Sequence, residues 1–201
     1  MESTKAEITA IAARLVVEEG LDFGTAKRRA AKQTGASARA GLPDNLAIEE
    51  AVEEYIAIFC ADTQPAELRA LRDIALDWMR RLERFRPHVG GAVWHGTATR
   101  HSDIYLQLFC EDSKAAEIAL IDMGIRFEVR SVPGLHGALV DALSIHVRSD
   151  VLHENIGLHL LIYDLDDIRG ALQPDARGRS PRGDTDALRR LIENTPHELS
   201  P

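Results

Sequence analysis

The sequence predicts an α/β fold of the α+β kind, with an N-terminal helical region packed on a mixed sheet that carries flanking helices. Three observations predict it. Apolar residues recur at helical spacing as far as Pro87, and after it short runs alternate with a period of two. Hydrophobic residues make up 45% and charged residues 28% of 201, a globular balance long enough to bury a core. No internal repeat or low-complexity tract interrupts the pattern. The expected division is a helical region, 1–64, and an α/β core with a C-terminal helix, 65–201.

Each element has its local reason. In TKAEITAIAARLVVEEG, Ile8, Ile11, Ala12, Leu15 and Val16 share a face and Gly20 stops the helix. GTAKRRAAKQTG follows, with Thr25 as the expected N-cap and Gly35 as the C-terminal signal. ASARAGLPDN reads as a loop. DNLAIEEAVEEYIAIFC then puts Ile48, Val52, Tyr55, Ile56 and Phe59 on one stripe. The long helix PAELRALRDIALDWMRRLERFRP starts at Pro65 and ends at Pro87, and it turns Leu68, Leu71, Ala75, Trp78, Leu82 and Phe85 inward. VGGAVWHG and DIYLQLF read as strands joined by a turn. SKAAEIALIDMG reads as a helix capped by Ser113 and stopped by Gly124, and IRFEVRS as a half-buried strand. In DALSIHVRS, Leu143, Ile145 and Val147 point one way and Ser144, His146 and Arg148 the other. IGLHLLIYD is apolar enough for a covered strand. LDDIRGAL is a short helix, QPDARGRSPRGD a loop and TDALRRLIEN a last helix.

Composition narrows the functional classes. A net charge of −8 and a pI near 5.5 argue against non-specific nucleic-acid binding by the whole molecule. Cys60 and Cys110, widely spaced, are expected to be buried free thiols. Lys5, Glu7 and Arg14 break any resemblance to a signal peptide. No apolar run approaches the roughly 18 residues of a membrane span, so the expectation is a cytoplasmic protein without a membrane partner.

The chemistry-bearing stretch is HGTATRHSDIYLQLF, residues 95–109. Metal-dependent nucleotidyl transfer needs a small-residue turn that lets backbone N–H groups approach phosphate. It also needs two carboxylates two residues apart on the following strand, and a third on a neighbouring strand, to hold two divalent ions. Gly96-Thr97 followed by Ser102-Asp103-Ile104-Tyr105-Leu106 resembles the start of the polymerase-beta-like nucleotidyltransferase superfamily, whose pattern is a Gly-Ser turn and then Ser-Asp-hydrophobic-Asp-hydrophobic. The resemblance extends over about residues 65–170. LPDN, RFRP, GTATRHSD and LQLF also resemble a group of proteobacterial nucleotidyltransferase-like proteins of similar length. Some of that group carry a UDP-N-acetylmuramate–alanine ligase label. Nothing here supports it, because the chain has no Gly-x-x-Gly-Lys-Thr/Ser loop.

The resemblance implies Asp103 as the catalytic, metal-binding carboxylate, Gly96, Thr97, Arg100 and Ser102 as nucleotide-binding residues, and magnesium or manganese as cofactor, with zinc a weaker choice. Two departures matter. Tyr105 stands at the second carboxylate position and His159 is expected at the third. Neither is the hard oxygen ligand magnesium favours, although His159 remains a candidate metal ligand. The expected function is therefore a nucleotidyltransferase-fold protein with an eroded metal site that binds a nucleotide or phosphate, or regulates. The alternatives are an active divalent-metal-dependent nucleotidyltransferase and a protein-association module acting through the helical half, as homo-oligomer or with another protein.

Secondary candidates have plainer readings. His95, His101, Asp103, His146 and His159 are a scattered set from which a metal site is conceivable. Lys27, Arg28, Arg29, Lys32 and Arg39 form an acid-free run that suits RNA phosphates or, more simply, a solvated helix face. Arg177, Arg179 and Arg182 lie in a Pro/Gly loop suited to a phosphate clamp or a connector. Asp164, Asp166 and Asp167 precede a helix, where acids favour the N-terminus. Trp78 and Trp94 read as core.

Overall fold

Helix α1, Glu2–Glu19, ends where the pattern expects. At Gly20 φ is +67°, and a side chain there would come within 2.0 Å of the His101 carbonyl oxygen. Only glycine tolerates both conditions. Helix α2, Phe23–Gln33, begins before Thr25. Asp22 is the N-cap and its carboxylate accepts the Thr25 N–H at 2.9 Å, so Thr25 is the donor rather than the cap. Helix α3, Asn45–Phe59, is capped the same way by Asp44, which accepts from Ala47 at 2.8 Å. These descriptions come from a computed structural model that covers residues 2–35, 41–135, 137–175 and 178–195. Arg39, the first half of the ASARAGLPDN loop and Arg177 lie outside them.

The chain divides into two compact units, residues 1–68 with 97–102, and residues 69–96 with 103–201. In the first unit the three helices share one core. Ile8, Ala12 and Leu15 of α1 meet Ala26 and Ala30 of α2 and Ile48 and Val52 of α3, with Tyr55 and Ile56 packed at its border. Phe59 departs from the expected stripe. It is 67% exposed at the last residue of the helix, with its ring tilted against that of Tyr55. Helix α4, Gln64–Arg81, begins one residue before Pro65. It is followed by a 3-10 turn, Glu83–Phe85, that closes on Arg86 in the left-handed region. Leu68, Leu71, Ala75, Trp78, Leu82 and Phe85 are all buried, as their spacing predicts.

The second unit is built on a six-stranded mixed sheet, which makes the fold α/β as expected. Its elements are β1 His88–Gly90, α5 Gly91–His95, β2 Ile104–Cys110, α6 Lys114–Asp122, β3 Glu128–Pro133, β4 Leu139–Ser149, β5 Glu154–Asp164, α7 Ile168–Ala171, β6 Arg182–Asp184 and α8 Thr185–Asn194. The sheet order is β3-β4-β5-β2-β1-β6, and β2 and β5 are its one parallel pair among the described strands. Ile104, Leu106 and Leu108 of β2 line up with Leu158, Leu160 and Ile162 of β5, and all six are buried on one face.

Several local expectations are corrected. VGGAVWHG is not one strand: β1 stops at Gly90, Gly91 adopts φ +63°, and the rest, Trp94 included, is helical. Trp94 is half-buried rather than core. Its indole N–H donates to the Ser180 carbonyl at 2.8 Å, and a side chain at Gly183 would overlap its ring. β3 is an edge strand and mostly exposed, since it pairs only with β4. β6 was not expected, because a three-residue edge strand rich in Arg, Gly and Asp has no apolar alternation to betray it. At α6, Ser113 makes no capping bond, and Asp112 accepts the Lys114 N–H at 2.9 Å instead. Asp164 and Asp167 also make no side-chain capping bond at the 3-10 turn and α7. Among the described residues no helix is long and apolar enough to cross a membrane.

Candidate functional site

The resemblance placed its site across residues 96–103. Those residues fall in different units, Gly96 and Asp103 with the sheet, and Thr97, Arg100 and Ser102 with the helices. In the helical unit the turn is stitched down by its own neighbours. Thr99 N–H donates to Ser102 Oγ at 3.0 Å and Thr99 Oγ1–H to the Val17 carbonyl at 3.0 Å. Arg100 N–H donates to Glu67 Oε2 at 3.0 Å, and Gln64 Nε2–H to the Ala98 carbonyl at 2.8 Å. Ala98 and Thr99 are buried. The backbone donors at Thr99 and Arg100, the groups a phosphate would need, are thus already bonded within the unit. Gly96 caps the C-terminal end of α5 with φ +95°. There the helix presents carbonyls, and the buried Arg72 guanidinium takes those of Val93 and Trp94 at 3.0 and 3.3 Å.

The sheet unit holds a different constellation. Tyr105 on β2 pairs with His159 on β5, which pairs with Ser144 on β4. Side chains in such a row share a face, so these three stand together on the sheet side opposite the apolar face. Asp103, just before β2, joins them. His159 Nε2 lies 3.1 Å from Asp103 Oδ2, and His159 Nδ1 lies 2.8 Å from Ser144 Oγ. The Tyr105 ring stacks on the imidazole with centroids 4.9 Å apart. Every other residue of β2 is buried, but Tyr105 is 44% exposed.

Hydrogen bonding from His159 holds the Asp103 carboxyl below its usual range, with help from the Gly157 backbone N–H and the nearby His146 charge, against a desolvation penalty. The neighbouring strand is shaped to fit: a Cβ at Gly157 would lie 2.4 Å from Asp103 Oδ1. Asp103 is therefore ionised and can only accept. In the neutral tautomer that donates from Nε2 to Asp103, Nδ1 is free to accept from the Ser144 hydroxyl.

Asp103 and His159, named above for the first and third metal positions, are thus brought together, and Tyr105, at the second, stacks on the imidazole. As a metal centre the set is poor. One carboxylate and one imidazole do not make the oxygen-rich shell magnesium favours, and no group of three His, Cys, Asp or Glu suited to an ion occurs among the described residues. His101 belongs to the helical unit, so the five-residue convergence considered above does not form within either unit.

Sequence reasoning missed Ser144, Gly90, Gly91 and Gly157. Ser144 was seen only as an outward strand position, because nothing in its context marks a partner fifteen residues away. Gly90 and Gly91 were absorbed into a supposed strand, although they form the strand-to-helix turn beside Gln107, and a Gly-Gly pair before a helical run is a readable break. Among the arginines of the Pro/Gly loop, Arg179 is paired with Asp175, while Arg182 sits half-buried on β6 with no carboxylate partner among the described residues. The acid-free run on α2 is largely engaged. Lys27 bonds the Pro43 carbonyl and Asn45, Arg28 bonds Thr25, and Arg29 pairs with Glu19. Both cysteines are free, and burial raises both thiols, Cys110 to about 11. Cys60 is only half-buried.

Comparison with known proteins adds little. No family profile matches the chain, and no curated protein matches it. One solved structure with some likeness is that of a cytoplasmic RNA terminal U-transferase, 18% identical, with a TM-score of 0.37 over 59% of this chain. The matched part spans 39% of that protein.

Proposed function

We propose that the protein is a nucleotidyltransferase-like binder, whose sheet unit takes a nucleotide or similar phosphate-bearing ligand without transferring it through paired metal ions. The observation that carries the reading is the state of Asp103. It is the one carboxylate of the expected three, and it is already bonded to His159 and Gly157. The binding half of the reading is supported by three features of the same face. The exposed Tyr105 ring, backed by His159, offers a platform for a base. Gly90, which pairs with Arg182, carries no side chain of its own and has the Gln107 amide about its Cα. The Arg182 guanidinium has a fork suited to phosphate and no carboxylate to neutralise it.

The test is the melting temperature with each common NTP, alone and with magnesium, manganese or zinc. A ligand that binds only the folded chain at a hundred times its Kd adds about 2.7 kcal/mol. The reading expects a rise that needs no metal and disappears in Arg182→Gln. A rise that requires a divalent ion and is lost in Asp103→Ala would favour the active transferase, for which the facing Asp103 and His159 atoms are the candidate grip. No rise with any nucleotide would overturn both.

A further inference from the structure

The Asp103–His159–Ser144 chain has a use that the nucleotide reading does not require. We propose that Ser144 is a nucleophile toward carboxylic esters, with His159 as its general base and Asp103 as the group that orients and charges the imidazole.

The argument rests on connectivity. An ionised carboxylate accepts from one ring nitrogen at 3.1 Å, and the other ring nitrogen accepts a serine hydroxyl at 2.8 Å. This is the relation of roles that activates a serine, recognised by geometry rather than by sequence order. Here the ring is reversed from the chymotrypsin arrangement, with the carboxylate on Nε2 and the serine on Nδ1. The chemistry needs only one protonated and one free nitrogen, and the Asp103 carboxylate fixes which is which. Two features hold the ring: the stacked Tyr105 and the Gly157 backbone that secures the carboxylate. His146, two residues along β4 from Ser144 and on the same face, is exposed. Its ring N–H is a side-chain donor that this face offers to a developing oxyanion. The groups come from three adjacent strands, so the constellation needs no loop closure.

In the first step Ser144 Oγ forms a bond to the ester carbonyl carbon as its proton passes to His159 Nδ1. The carbon–oxygen bond to the alcohol then breaks and that proton leaves with the alcohol. Water, deprotonated by His159, cleaves the acyl-serine to the free acid and restores the hydroxyl.

The experiment is reaction of the full chain with an alkyl phosphonofluoridate, followed by peptide mass mapping. Attack by Ser144 forms an oxygen–phosphorus bond and releases fluoride with the serine proton. The expected result is one adduct per chain, on Ser144, absent in Ser144→Ala and slowed about 100-fold or more in both His159→Gln and Asp103→Asn. Melting curves show which variants fold, and either of the two slowed variants suffices if the other does not. A folded wild type with no Ser144 adduct overturns the proposal, as does a fall smaller than about tenfold in a folded His159→Gln or Asp103→Asn. Neither outcome bears on nucleotide-dependent melting, so the two readings fail separately.

Discussion

Residues 97–102 and the Asp103–His159–Ser144 row make an instructive contrast. The turn ends one residue before Asp103, and both groups are rich in small polar and ionisable side chains. In the turn, the described polar bonds run to backbone carbonyls, the Ser102 hydroxyl and a helix carboxylate, all of its own unit, and its centre is buried. In the row, the side chains bond one another across three strands and remain partly open to water. Polar residues become glue when neighbouring backbone satisfies them, and a candidate site when they satisfy each other at a surface. Spacing along the chain does not distinguish the two cases.

The largest break comes from the backbone beneath the row. Gly157→Val would place a Cβ 2.4 Å from the Asp103 carboxylate, with β2 on one side and β4 on the other, so the strands must move apart. We expect a loss of about 3 kcal/mol or more, read as a shift of the urea midpoint. An unchanged midpoint would mean that the carboxylate is not held where described. The turn breaks less severely. Thr99→Val keeps the shape but leaves the Val17 carbonyl without its hydroxyl donor, at a cost of about 1–3 kcal/mol. The same urea titration checks it. A neutral result would return this turn to the list of candidate ligand sites.

These two predictions also mark what was legible. The helical stripes of α1, α3 and α4, the caps at Gly20 and Gly35, and the alternation of β4 follow from periodicity and from glycine's freedom at positive φ, which are local properties. Asp103 and His159 were named through the resemblance, which implies a carboxylate after the Gly-Thr turn and a third ligand on a later strand. Ser144 was not, since its meaning depends on a register that brings β4 beside β5 and is set by the whole sheet. Gly157 was equally silent, because its need for hydrogen in place of a side chain comes from a carboxylate on another strand. The exposed Phe59 was misread because helical spacing names a face but not where that face runs out of core.

A smaller effect separates row from turn by pH. Asp103 has a lowered native pKa, caused first by the His159 hydrogen bond. A depressed acid stabilises the fold above its ordinary range and loses that contribution as pH falls through the lower native value. Stability should therefore decline on acidification below about pH 4, more steeply in wild type than in Asp103→Asn, which has no proton to take up. Because the group is about half exposed, the difference will be modest. Parallel acid limbs in the two proteins would remove Asp103 from the account of the row's stability.

The smallest effect on stability carries the most chemical information. Tyr105→Asp puts a second carboxylate two residues from Asp103 on the same side of β2, directly opposite His159. It gives up the stacked contact and adds a like charge near Asp103, so without metal the variant should be slightly less stable than wild type, by about 0.5–1.5 kcal/mol. It also supplies the missing hard oxygen ligand. If Tyr105 is what prevents the row from holding a divalent ion, magnesium or manganese should recover the loss in Tyr105→Asp and leave wild type unmoved, as followed by melting temperature against ion concentration. Recovery in both proteins would mean that the wild-type row already binds the ion, which would strengthen the active-transferase reading. Recovery in neither would place the obstacle at His159, whose Nε2 already occupies the Asp103 oxygen a metal would need.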